Sequence, residues 1–125
     1  MTKLTLQFVP YGEILNLSSS ERIKKLLKII MTNRVILLQG KLKAEEEARL
    51  IEDTMVMIGH VKGFKGIELA VFSSKKEDSL VPIIRSGIAK ILLGDRDAVT
   101  VIGPASIIKD IKKDPSKMEL FLKGN

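Results

Sequence analysis

The chain has 125 residues, 45% of them hydrophobic and 29% charged, which is the balance of one globular domain with a real core rather than of a disordered segment. It has no cysteine, which excludes disulfides, thiol nucleophiles and thiolate metal sites. With four Phe, one Tyr and no Trp, its core must be built from Ile, Leu, Val and Met. The formal net charge of +6 (pI ≈ 9.6) raises the weight of a polyanionic partner, provided that the lysines gather on one face.

In chain order, LTLQFV (Leu4 to Val9) alternates, with Leu4, Leu6 and Phe8 on one side, and reads as a strand stopped by Pro10 and Gly12. No signal peptide's apolar centre or cleavage site precedes or overlaps it. SSSERIKKLLKIIMTN then offers serine caps at Ser18 to Ser20. Ile23, Leu26, Leu27 and Ile30 follow at the spacing of a helix with one buried face, and Lys24, Lys25 and Lys28 lie on its exposed flank. RVILLQG (Arg34 to Gly40) is apolar on both sides, as in a central strand covered on both faces. The next helix has Glu45, Glu46 and Glu47 as a solvated first turn and an apolar stripe of Ala44, Ala48, Ile51, Met55 and Ile58.

GIELAVFSS (Gly66 to Ser74) is a third strand, and Ser73 to Ser79 is a surface loop. Glu68 lies within this otherwise apolar strand, where a buried charge would need a partner unless the strand is at an edge. A helix follows, with Leu80, Ile83, Ile84, Ile88 and Ile91 on one face, Pro82 in its first turn and Gly94 at its stop. AVTVIG is a fourth strand, ASIIKDIKKD a fourth helix, and KMELFLKG a fifth strand. The order βαβαβαβαβ predicts a single α/β domain, three-layer α/β/α, around a mainly parallel five-stranded sheet joined by right-handed crossovers.

Familiar phosphate chemistry is missing. No Walker A loop occurs, and the three-glycine dinucleotide turn is replaced by Pro10, Tyr11 and Gly12. Gly103-Pro104-Ala105-Ser106 joins a strand end to a helix start, where anions commonly bind; Gly103 could allow close backbone approach and Ser106 could donate its hydroxyl. Against this, Pro104 removes one amide donor and is an ordinary first residue of a helix, so a structural corner is the favoured reading. Asp95 and Asp97 flank Arg96 in a tight turn, which is ordinary Asp turn chemistry before it is a ligand or metal site. His60, the one histidine, has no companions for a zinc site or a catalytic base and suits a helix end. No metal, cofactor or catalytic residue is expected, and the balance lies against an enzyme.

Basic residues cluster twice: Arg22, Lys24, Lys25, Lys28, Arg34, Lys41 and Lys43 early, and Lys109, Lys112, Lys113, Lys117 and Lys123 late. If the first and fourth helices share a face of the sheet, Lys24, Lys25, Lys28, Lys109, Lys112 and Lys113 form one patch able to follow a phosphate backbone; otherwise they are two solvated lysine edges. No aromatic residues are interleaved for base stacking.

Two longer stretches carry a family likeness. The Glu-rich helix from Glu45 to Met55, the Phe-x-Gly-Ile-Glu strand from Phe64 to Glu68, and the Thr-Val-Ile-Gly-Pro helix start from Thr100 to Pro104 resemble an archaeal family of uncharacterised single-domain proteins, over roughly residues 17 to 123. After Glu68 the chain has Ala70 and Val71 where more polar residues are usual. The resemblance implies genes near an Era-like GTPase of the ribosome-assembly type, and so an accessory role around RNA or a GTPase; it brings no catalytic residues. Three functions stay open. One is a non-enzymatic cytoplasmic binding protein for RNA, a ribonucleoprotein or a GTPase. Another is a small-molecule or phosphate-ligand domain using Gly103, Ser106, Asp95 and Asp97. The third is a homo-oligomer built on an apolar strand edge or helix face. No membrane partner is expected, since no apolar run approaches the roughly 18 residues of a span.

Overall fold

The computed structural model describes residues 5–32, 34–59, 66–73 and 98–114. Strand β1 (Thr5–Val9) ends at Pro10 and a single 3-10 turn, Tyr11–Glu13. Helix α1 (Ser19–Met31) starts where the serines predict. The Ser18 hydroxyl accepts the Glu21 N–H at 3.2 Å while the Glu21 carboxylate accepts the Ser18 N–H at 3.1 Å, a reciprocal pair that satisfies two otherwise orphaned donors. β2 (Arg34–Gln39) leads through Gly40, at φ +94°, into α2 (Ala44–Ile58). β3 (Ile67–Ser73), β4 (Ala98–Pro104) and α3 (Ala105–Lys113) follow.

The five-stranded, mainly parallel sheet is overturned. Among the described residues the sheet has four strands in the order β1-β2-β4-β3; β1 and β2 are parallel, but β2 with β4 and β4 with β3 are antiparallel. Alternation of strand and helix patterns reports element type, not direction. Ser73 pairs with Ala98, so the chain leaves β3 and re-enters at β4 on the same edge of the sheet, and β4 runs back between β2 and β3. Burial explains the placement: Ala98 to Gly103 are all buried, which demands a central position covered on both faces, whereas β3 carries half-buried Glu68 and exposed Val71 and suits an edge. The expected helix over 80–94, the expected fifth strand, His60 and residues 74–79 of the expected loop lie outside the described residues.

Side chains alternate across the sheet into two cores. On one face Val35, Leu37, Ala70, Phe72, Val99 and Val101 pack beneath Ile108 and Ile111 of α3. On the other, Ile36, Leu38, Ile67 and Ile102 pack beneath α1, through Ile23, Leu26, Leu27 and Ile30, and beneath Leu50 of α2. α1 and α3 therefore lie on opposite faces of the sheet.

Helix α2 buries a different face from the expected one. Ala44, Ala48, Ile51 and Met55 are exposed and Ile58 is half-buried, while Glu46, Leu50 and Thr54 are buried. The polar members of this stripe are satisfied: the Thr54 hydroxyl donates to the Leu50 carbonyl at 2.7 Å, and Glu46 is held by α1.

Candidate polyanion-binding surface

Helix α3 spends its apolar side on the sheet. Ile108 and Ile111 are buried and Ile107 is half-buried, so Lys109, Lys112 and Lys113 point away from the core into solvent. Cations in a last turn are also favoured by the helix dipole. The Lys112 ammonium lies 3.6 Å from the Glu68 carboxylate, the lysine exposed and the glutamate half-buried, so the pair is a surface bridge that a phosphate could displace. That contact, with the position of β3 at the edge of the described strands, accounts for a carboxylate in an apolar strand.

The lysines of α1 face elsewhere. Lys24 and Lys28 are exposed and form no ion pair among the described residues; Lys25 lies 3.6 Å from Glu13. Because α1 and α3 cover opposite faces, Lys24, Lys25 and Lys28 do not join Lys109, Lys112 and Lys113 on one face, and the two clusters are separate surfaces. Arg22, counted with the early basic cluster, is engaged in structure. Its guanidinium donates to the Ile14 and Leu15 carbonyls at 2.9 and 3.3 Å and to the Glu46 carboxylate at 3.3 Å.

Glu46 departs from the expected solvated helix start, being 1% exposed. It accepts the Ser19 hydroxyl at 2.7 Å, the Lys43 N–H at 3.0 Å and the Arg22 guanidinium. Burial alone would raise its pKa, but the bonds from Ser19 and the Lys43 backbone, with the Arg22 and Lys43 charges, outweigh it, and the carboxyl sits below its ordinary value. Lys43 stands where the capping signature has Ser or Thr, so nothing local in the sequence signals either the backbone bond or the reach to α1.

Gly103 is closely packed. A Cβ at Gly103 would lie 3.1 Å from a Val35 methyl and 3.4 Å from the Ile108 Cδ1, so the glycine makes room for α3 against β2. Pro104 has no N–H, and the Ala105 N–H donates to the Gly66 carbonyl at 3.1 Å, which removes two donors an anion cradle would use. Ser106 is exposed. Asp95 and Asp97 lie outside the described residues. Ala98, which follows them, begins β4 at the edge of the sheet opposite the one where Gly103 and Pro104 end it, about 20 Å away at the usual rise per strand residue. Among the described residues no group of three or more His, Asp or Glu could hold a metal ion, and no helix is long and apolar enough to cross a membrane.

Fold and surface together define, among the described residues, an α/β domain with a mixed four-stranded sheet and a lysine-bearing helix on each face. The chain belongs to the family described as origin-associated protein OapB, whose sequence model matches residues 14–123. The match agrees with a family likeness running over nearly the whole chain. No curated protein and no solved structure matches the chain.

Proposed function

We propose that the protein is a non-enzymatic accessory protein of an archaeal cytoplasm that associates with nucleic acid through Lys109, Lys112 and Lys113. The observation that carries this reading is the arrangement of α3, whose apolar side is committed to the sheet while three lysines within five residues project to solvent. A net charge of +6 supports it. The packing role of Gly103 and the engaged Ala105 N–H weigh against a small phosphate ligand at the neighbouring corner. The family description names an origin, so duplex DNA belongs in the test beside single-stranded RNA.

The test is a fluorescence-anisotropy titration of both nucleic acids over a series of salt concentrations. Affinity is expected to fall linearly on a log-log plot, with a slope of about −0.7 per phosphate contact for a single strand and about −0.9 for a duplex. Replacing Lys109, Lys112 and Lys113 by Gln is expected to weaken binding and to flatten the slope by roughly 2 to 3. Binding to neither nucleic acid at low salt would refute the reading, and partners recovered from host cytosol in a ribonuclease- and deoxyribonuclease-resistant way would replace it with a protein partner such as a GTPase.

A further inference from the structure

We propose that the outer surface of the α1–α2 layer is a homodimer interface, with a two-fold axis running along the groove between the two helices. This surface lies across the sheet from the α3 lysines and is independent of their role.

The groove encloses about 330 Å³, with Ile23 and Leu27 of α1 and Val56 and Met57 of α2 in its lining. Val56 is 80% exposed and Met57 45%, an unusual display of apolar area on a helix whose buried stripe is only Glu46, Leu50 and Thr54. The charges beside it have a pattern. The outward stripe of α1, at helical spacing, is Glu21, Lys24, Lys28 and Met31; that of α2 is Glu45, Arg49, Glu52 and Val56, and all eight are exposed.

Both helices link strands that run the same way, since β1 is parallel to β2, and β2 and β3 are each antiparallel to β4; α1 and α2 therefore run in the same sense. Their relative height is set by the Ser19–Glu46 hydrogen bond and by Lys24 and Asp53 lining the same groove. A two-fold axis parallel to the helices keeps height and exchanges sides, so α1 of each copy lies over α2 of the other. At that height Glu21 faces Arg49 of the second copy, Lys24 faces Glu52, and Lys28 and Met31 approach Val56 with their aliphatic parts. The intramolecular competitors are weak: Arg49 is 3.6 Å from Asp53, both well exposed, and Glu21 bonds the Ser18 backbone through one oxygen. Glu45, Glu52 and Asp53 on the same surface disfavour a polyanion there, which leaves a partner carrying both signs in the matching order, as a second copy does.

Sedimentation equilibrium of the full chain through the micromolar range tests this. The wild type is expected to be a dimer. Lys24→Glu and Glu52→Lys are each expected to weaken it about tenfold or more, because every contact occurs twice in an isologous interface, and the double variant is expected to restore it. Val56→Glu is expected to give a monomer, with circular dichroism confirming the fold; the charge variants alter exposed side chains and test the interface whether or not Val56→Glu folds. A monomeric wild type, a dimer indifferent to both charge variants, or a double variant no better than the singles would overturn the proposal.

Discussion

Glu46 is the residue on which the helix layer turns. A carboxylate 1% exposed is tolerated because three donors from two elements converge on it: Ser19 and Arg22 from α1 and the Lys43 backbone at the start of α2. Glu46→Ala leaves those donors without their acceptor and is expected to cost about 2–4 kcal/mol in denaturant unfolding. The sign of the pH effect follows from its lowered pKa. The stabilisation is complete above the ordinary carboxylate range, roughly pH 4 and higher, and is lost as the pH falls through the folded-state value. Melting temperature is therefore expected to drop on acidification below about pH 4, and less steeply in Glu46→Gln. Glu21, lowered by its bonds to Ser18, leaves some acid sensitivity in that variant. At Gly103 the expected outcome separates packing from binding. Gly103→Ala pushes on Val35 and Ile108 and should cost about 1–2 kcal/mol of stability without changing nucleic-acid affinity. A loss of affinity without a loss of stability would return the phosphate cradle to that corner.

At the scale of elements, local chemistry was legible and orientation was not. The serine cap and the Ile23, Leu26, Leu27, Ile30 stripe place α1 and its buried face correctly, and the unbroken apolarity of Val35 to Leu38 describes a strand covered on both sides. Helix α2 is the exception. Its best apolar stripe in sequence, through Ala44, Ala48, Ile51 and Met55, is the exposed one, because a long-range polar clamp at Glu46 decides which side faces the sheet. Periodicity counts apolar residues and has no knowledge of a partner twenty-odd positions away. Leu50→Ala is accordingly expected to cost about 2–4 kcal/mol and Ile51→Ala to stay within about 1 kcal/mol, the reverse of what the apolar stripe alone implies. Equal effects at the two positions would mean that α2 is rotated from the orientation described.

For the whole molecule, the decisive fact is the direction of β4. Strand patterns located β1 to β4 within a residue or so, yet parallel and antiparallel neighbours share the same alternation, and only the pairing of Ser73 with Ala98 reveals that β4 returns between β2 and β3. The candidate site has the same history. Which residues are basic was plain, but whether they share a surface depends on helix placement, and α1 and α3 cover opposite faces. One side of the sheet thus presents Lys109, Lys112 and Lys113. The other presents a mixed-charge, partly apolar helix layer suited to a second copy of the chain. The most direct measurement compares two triple Lys→Gln variants, one at Lys109, Lys112 and Lys113 and one at Lys24, Lys25 and Lys28, in the same salt titration of nucleic-acid binding. The α3 variant is expected to lose affinity and roughly 2 to 3 of the salt slope while the α1 variant keeps both. Equal losses, or a loss confined to the α1 variant, would contradict the assignment of binding to α3.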